Sequence, residues 1–350
     1  MTEHATFLVP TVTGFAAKRA IAALRNQGIA ARPLLRRAGL PEHAFDNPRA
    51  RVSAVAQLKL LEDAAEAMHD TAFGLHLAEQ SNPREVGLLF YVVSAARTIG
   101  DALALLARYC SIVNECVQLK FAQAPGGLIA KIDWIGISRH RAKQNAEFMH
   151  AMLVKALREV VGRDVRPTRV VFAHARTADI REFERFYGCS VEFGAASDQL
   201  EFSNEALALP LMTADPHLLD TLRPFCDDAL RARNTAVGSV RFLVENEVQR
   251  LLPHGQAQAN NVAKALALSV RTLSRRLSNE GTTFAEVVDE LRRSLALEYI
   301  KESGFSLAQI TWLLGYEGST SFNHAFKRWT GHSPSAARVN GEKKQKLGRS

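Results

Sequence analysis

Residues 259–278 read ANNVAKALALSVRTLSRRLS, and residues 307–329 read LAQITWLLGYEGSTSFNHAFKRW. In the first stretch Val262, Ala263 and Leu266 fall at helical spacing, and Ala267-Leu268 makes a turn. Ser269 stands where a cap opens a second helix, which holds Val270, Leu273 and Leu277 inward and carries Arg271, Ser274 and Arg275 outward. The second stretch repeats the plan. Leu307, Ile310 and Leu313-Leu314 form one helix, Gly315 permits the turn, and a following helix over 319–329 buries Phe322 and Phe326. Its outer face carries Ser319, Thr320, Asn323, His324 and Lys327. An apolar face that locks two short helices together, beside a polar face left free, is what a helix-turn-helix needs to enter a DNA major groove.

The segment between the two units supports pairing them. Phe284, Val287, Val288, Leu291, Leu295 and Tyr299 keep helical spacing over 283–302. Such a helix spans about 30 Å at about 1.5 Å per residue. Successive major-groove faces on one side of a duplex lie about 34 Å apart, so one rigid connector places both recognition helices on the same DNA face.

Charge follows the same division. From residue 235 onward there are 16 Lys+Arg against 10 Asp+Glu, and before it 28 against 26, so the last third carries most of the net +8. A positive surplus is the footprint of a module that neutralises phosphates. Part of it lies in residues 339–350, with Lys343, Lys344, Lys346 and Arg349, expected to be a basic disordered tail. The chain is long enough for two or three domains, and its 47% hydrophobic and 23% charged composition is that of a globular protein. No uncharged apolar run approaches about 18 residues, and no secretory leader is evident, so a cytoplasmic location away from membranes is expected. Cys110, Cys116, Cys189 and Cys226 lie far apart without a CxxC pair and read as buried free thiols.

Upstream, helices are expected over 16–26, 33–40, 53–68 and 99–112. The period then changes to two. Val117, Leu119 and Phe121 alternate with polar neighbours, Pro125-Gly126-Gly127 supplies a turn, and Leu128, Ala130, Ile132 and Trp134 alternate again, which predicts a β-hairpin. A long helix over 142–161, a strand over 168–172, a helix over 180–187 and short strands near Val191 and over 200–202 complete a mixed domain. The fold class is therefore an α+β N-terminal domain, mostly helical with a small sheet, followed by an all-α C-terminal domain of two helix-turn-helix units joined by a long helix. The expected boundaries are 1–215 for sensing and dimerisation, 216–235 for a connecting helix and the polar stretch Arg233-Asn234-Thr235, and 236–338 for DNA binding. The connecting helix either forms a dimer contact through Leu218, Leu222 and Phe225 or packs on its own domain.

At this point the chain resembles the AraC/XylS family of bacterial regulators. The first unit matches at Ala263, Leu266, Ser269, Arg271, Leu273, Arg275, Leu277 and Gly281, and the connector at Leu291-Arg292-Arg293. In the second unit the match runs through Ser306-Leu307, Ile310, Leu313-Leu314-Gly315-Tyr316, Ser321-Phe322, Ala325-Phe326-Lys327-Arg328-Trp329, Gly331, Ser333-Pro334 and Arg338. Its specific form covers 240–338. More loosely, Leu34-Leu35-Arg36-Arg37-Ala38-Gly39-Leu40, Gly87-Leu88-Leu89 and Tyr187-Gly188-Cys189-Ser190-Val191-Glu192-Phe193 resemble the branch containing ornithine-utilisation and virulence regulators, not the arabinose-sensing double-stranded barrel. One departure is Ala267, where the family usually has glycine.

The resemblance implies base contacts from Arg271, Ser274 and Arg275 in the first unit and from Ser319, Thr320, Asn323 and His324 in the second. Arginine pairs bidentately with guanine and asparagine with adenine, whereas Arg276, Lys327 and Arg328 are expected on phosphates. It also implies a sensing or dimerising N-terminal domain, a small-molecule effector, a homodimer, activation through RNA polymerase, and no cofactor or metal. Tyr91, Arg97, Tyr109, Trp134 and His150 are the expected effector-pocket residues. An effector-independent architectural or repressor DNA binder is the alternative. GxSxG, HExxH, P-loop and GxGxxG patterns are missing from the sequence, so no enzyme is expected.

Overall fold

Apolar side chains at helical spacing followed by an alternating stretch set up two kinds of element in the first two thirds of the chain. The protein is described as a computed structural model, covering residues 10–41, 45, 51–135, 137, 142–232, 240–301 and 305–338. The expected polar stretch 233–235 and basic tail 339–350 lie outside the described residues. The chain divides into two units, Met1–Ala175 with Asp179–Gly238, and Ser239–Ser350 with Arg176–Ala178.

The first unit begins with β1 (Thr11–Val12), α1 (Phe15–Asn26), α2 (Ala31–Ala38), β2 (Val52–Ser53), α3 (Ala54–Ala67) and α4 (Phe73–Glu79). A 3-10 turn, Pro83–Val86, leads to α5 (Leu88–Ser94) and α6 (Ile99–Val113), then to the hairpin β3 (Val117–Ala124) and β4 (Gly127–Trp134). After α7 (Lys143–Val161) come β5 (Arg169–Phe172), α8 (Ile180–Tyr187), β6 (Val191–Phe193), β7 (Asp198–Ser203), α9 (Asn204–Leu207) and α10 (Pro216–Arg231). The main sheet has the order β3-β4-β7-β5-β6, antiparallel except for the β5–β6 pair that α8 connects. The expected hairpin forms in the register Val117↔Trp134 to Ala124↔Gly127. Phe121 departs from the expected inward alternation and is 38% exposed.

Helix α7 is the spine, with Ala146, Phe148, Ala151, Val154 and Leu157 buried along it. It lies against α4, where a Cβ on Gly74 would stand 2.1 Å from the Gln144 carbonyl oxygen. Glycine is required there because a backbone occupies the space a side chain would need. Helices α4 and α5 are apolar nearly all along and show no one-sided period, and two-residue β1 and β2 are too short to show alternation, so all four escape sequence reading.

Helix α10 packs on its own unit, one of the two alternatives expected for the connecting helix. Leu219 and Cys226 are buried, with Leu222, Ala229 and Leu230 beside them, against Leu89, Val92, Ala95, Tyr109 and Ile112 of α5 and α6. Asp227 accepts hydrogen bonds from the Tyr109 hydroxyl and the Arg108 guanidinium, each at 2.9 Å. Leu222 thus belongs to the seat of α10 on its own unit, whereas Leu218 and Phe225 remain 37% and 61% exposed. Three cysteines are buried free thiols; Cys189 is only half-buried, which corrects that part of the expectation.

The second unit contains α11 (Val240–Leu251), a 3-10 turn Leu252–His254, α12 (Ala259–Ala265), α13 (Val270–Asn279), α14 (Phe284–Lys301), α15 (Leu307–Leu313) and α16 (Ser319–Thr330). Val244, Val248, Leu252, Leu277, Val287, Leu291, Ile310, Leu314 and Phe326 are buried in it. Among the described residues no helix is long and apolar enough to cross a membrane.

One ion pair of the first unit responds to pH. His76 of α4 stands with Nδ1 2.7 Å from Asp70 and Nε2 3.1 Å from Glu182 of α8. The Asp70 hydrogen bond, aided by Glu182 and opposed by partial burial, lifts the His76 pKa from 6.5 to about 9. Because the folded pKa lies above the unfolded one, the stabilisation is complete below about pH 6.5 and is lost as pH rises through 9. Denaturation midpoints measured between pH 6 and 9.5 should therefore fall with rising pH, and His76→Gln should flatten that slope while lowering the midpoint at pH 6.

Candidate nucleic-acid interface and effector cavity

The first helix-turn-helix closes around Ala267. The Leu268 N–H donates to Ala263 O at 2.8 Å and the Ala267 N–H to Lys264 O at 3.1 Å, with Ala267 at φ 53°. This is a Schellman end to α12, in which one residue must take the left-handed conformation. Ser269 then caps α13 by accepting from the Thr272 N–H at 3.1 Å, and Leu273 and Leu277 bury its inner face. Val270, expected inward, is instead 38% exposed. It is the first residue of α13, three residues ahead of Leu273, at the end of the face that Leu273 and Leu277 bury.

The second unit uses the same hydrogen bonds at Gly315. Its N–H donates to Trp312 O at 2.9 Å and the Tyr316 N–H to Thr311 O at 3.1 Å, with φ 68°. A Cβ at Gly315 would also lie 2.4 Å from the Leu252 carbonyl oxygen. Glycine is thus imposed twice here, by conformation and by close approach. Ser306 and Gln309 form a reciprocal capping box on α15, and Phe322 and Phe326 are 1% and 0% exposed beneath α16.

The connector α14 holds the second unit by polar staples. Arg292 donates to Leu314 O at 3.0 Å and Gly315 O at 3.3 Å, and its guanidinium lies 4.6 Å from the Tyr316 ring centre. Asp289 accepts from Trp329 Nε1 at 2.9 Å and from Arg328 at 2.5 Å. On the other side, Glu280 accepts from the first backbone N–H groups of α11 at 2.7 and 3.0 Å, where the helix dipole favours a carboxylate. Residue matching singled out Arg292 and Trp329 but not what they do.

Arg271, Ser274, Arg275 and Arg276 are exposed on α13, and Ser319, Thr320, Asn323, His324, Lys327 and Arg328 on α16. Each set therefore shares one recognition helix, with its outer face open. Among the described residues no ion pair involves Arg271, Arg275, Arg276 or Lys327, whereas Arg328 is engaged by Asp289. Free guanidinium groups on an open helix face suit an anionic partner.

The five expected pocket residues are not brought together. Tyr91 is 45% exposed, and Arg97 stands 3.8 Å from Asp101 at the surface. Tyr109 and Trp134 are buried with their donors on Asp227 and Asp198, each at 2.9 Å. His150 is wholly buried with Nδ1 2.8 Å from Ala146 O, and burial pushes its pKa down. None lines the cavity of about 180 Å³ that the first unit contains. That cavity lies between the start of α1, α3, α5, α6, α7, β3 and β4, with Phe15, Phe90, Phe148 and Met152 in its wall. Aromatic and charged residues were chosen for their chemistry, but the cavity wall is mostly apolar and made of residues indistinguishable in sequence from core.

An α+β domain with an internal apolar cavity, and a helical unit presenting two recognition helices, define a two-domain DNA-binding regulator. Residues 28–211 match the arabinose-binding N-terminal domain of AraC transcription regulators, and residues 262–340 match a helix-turn-helix domain. The chain belongs to the AraC family of transcription regulators. The described strands within the first match form one five-stranded sheet beside the short β1–β2 ribbon. The chain is 27% identical to an ornithine utilization regulator of Pseudomonas aeruginosa, over 88% of this chain and 90% of that protein. It is 26% identical to the transcriptional regulator VirS of Mycobacterium tuberculosis, over 91% and 93%. The crystal structure of the transcriptional regulator CdpR from Pseudomonas aeruginosa aligns with 93% of this chain and 98% of that one, at 20% identity and a TM-score of 0.44.

The two turns should respond oppositely to exchange. Ala267→Gly relieves a left-handed alanine and should stabilise by about 0.5–1 kcal/mol, whereas Gly315→Ala adds both strain and a backbone clash and should cost more than about 1 kcal/mol. Urea denaturation of the two variants, followed by circular dichroism, measures both.

Proposed function

We propose that this DNA-binding regulator recognises a specific operator and activates transcription when its N-terminal domain takes up a small-molecule effector. The observation that carries the DNA part is the open outer face of α13, where Arg271, Arg275 and Arg276 have no ion pair among the described residues. In this reading Arg271, Ser274 and Arg275 read bases in one groove, and Ser319, Thr320, Asn323 and His324 in the next. Exposed Val270 adds apolar contact suited to a thymine methyl group. Arg276 and Lys327 hold phosphates, and Arg328 joins them by sharing its guanidinium with Asp289. At 18 residues, α14 is about 27 Å long, compatible with grooves one turn apart.

The remaining parts follow the same reading. Residues 1–215 sense, 216–235 connect, 236–338 bind DNA, and 339–350 form a basic tail. The protein acts in the cytoplasm as a homodimer and contacts RNA polymerase at the promoter. Exposed Phe225 and Leu218 favour a second copy over bare solvent, which sedimentation of the full chain measures. The name of the ornithine utilization relative brings ornithine forward as an effector. Its two ammonium groups and carboxylate find no charged partner among the described cavity-lining residues, which speaks against it.

Selection from a random duplex library supplies the operator for the test. On that site Arg271→Ala and Arg275→Ala should each cost about 1–3 kcal/mol and relax preference at one base pair. Arg276→Ala and Lys327→Ala should weaken all sequences alike, each lowering the salt slope of log K by about 1. A loss from Arg271→Ala that is uniform across sequences would move that residue to the phosphate set. A reporter behind the selected site should rise when the chain is supplied, and repression there would overturn the activator assignment.

A further inference from the structure

The first-unit cavity has a chemistry more definite than its position. Among the described residues its lining contains no charged side chain; the polar groups there are Thr13, Gln57, Cys110, Asn114 and Asn145. Gln57 is already used, accepting from the Ala17 N–H at 3.3 Å. Asn114 and Asn145 are different. Their amide nitrogens, from the end of α6 and from α7, both donate to the Met149 thioether sulfur, at 3.6 and 3.2 Å. A thioether is a weak acceptor, so a carbonyl or ether oxygen entering here would replace it with gain. Two donors converge on one point of an otherwise apolar wall.

Size narrows the class further. An apolar cavity of about 150 Å³ admits benzene, so about 180 Å³ suits a single substituted ring or a chain of roughly six to ten carbons. A carboxylate or ammonium would be desolvated without a counter-charge, and most sugar hydroxyls would be left unpaired. We infer that the cavity binds a small neutral compound with an apolar body and one acceptor oxygen, held by Asn114 and Asn145. This rests on reading the N-terminal domain as an effector domain.

The wall also supplies a route outward. Val86, Leu89, Val93, Leu106 and Val113 line the cavity and also belong to the cluster on which α10 is seated. An occupant that presses on these side chains alters the seat of α10 directly, one layer away. Close-packed interiors transmit such a shift because they have little free volume to absorb it. Ligand uptake and the last helix of the unit are therefore coupled through shared residues.

The test uses the full chain with acetophenone and 2-octanone, which carry one carbonyl, ethylbenzene, which lacks it, and benzoate and L-arabinose. Both ketones should raise the melting midpoint in a concentration-dependent way, ethylbenzene should bind about five- to tenfold more weakly, and benzoate and arabinose should have no effect. Ala156→Phe, which fills the cavity from α7, should abolish the shifts, and Asn145→Leu should erase the ketone preference while keeping ethylbenzene binding. Neutral probes that leave the midpoint unchanged, or act equally on Ala156→Phe, overturn the cavity assignment. A shift from benzoate or arabinose alone overturns the ligand class and leaves effector binding standing. Ketone binding that leaves DNA affinity unchanged overturns the effector reading and leaves the ligand class intact.

Discussion

The grip of α14 on the second helix-turn-helix is the contact on which the DNA-binding unit depends. Phe322 and Phe326 are buried beneath α16, and burying each is worth about 1.5–3 kcal/mol. Apolar contact is not directional, so burial alone would tolerate a helix rolled or slid by part of a turn. Arg292 on the Leu314 and Gly315 carbonyls, and Asp289 on Trp329, remove that freedom. The Arg328–Asp289 pair is exposed and adds little stability by itself, but it draws one cation of α16 toward the connector. Orientation of the outer face thus comes from few, directional bonds laid over a larger apolar attraction.

The two turns show how much of this precision is backbone geometry. Both end a short helix with the same pair of hydrogen bonds and the same left-handed residue. At Gly315 the Leu252 carbonyl fills the space that a methyl group would take, so substitution is blocked from two directions. At Ala267 the chain carries a methyl group in a conformation that disfavours it. The first unit holds strain that the second lacks, and it also carries the denser set of unpaired arginines.

The other unit contains the apolar cavity. Residues of α5, α6 and α7 line it, and its two amide donors rest on sulfur rather than oxygen. Its neighbours are the residues that seat α10.

The helix-turn-helix pair, its connector, the hairpin and the long central helix were legible from residue spacing, because periods of 3.6 and 2 persist over enough residues to be seen. So was the outward set of Arg271, Ser274, Arg275, Asn323 and His324, since the buried leucines and phenylalanines leave those positions only one face. The two-residue strands β1 and β2 and the nearly all-apolar helices α4 and α5 were not legible, because none shows a one-sided period. Nor was the cavity, for which Tyr91, Arg97, Tyr109, Trp134 and His150 were the expected residues. Sequence by itself determined the helix-turn-helix pair, its connector, the hairpin and the long central helix, because local spacing and capping are properties of neighbours along the chain. Only the tertiary structure decided that α10 packs on its own unit, that Arg328 is tied to Asp289, and that Asn114 and Asn145 meet at one sulfur. Those facts depend on groups brought together from distant positions, and their physical cause is the close packing of helices whose facing partners no local pattern specifies.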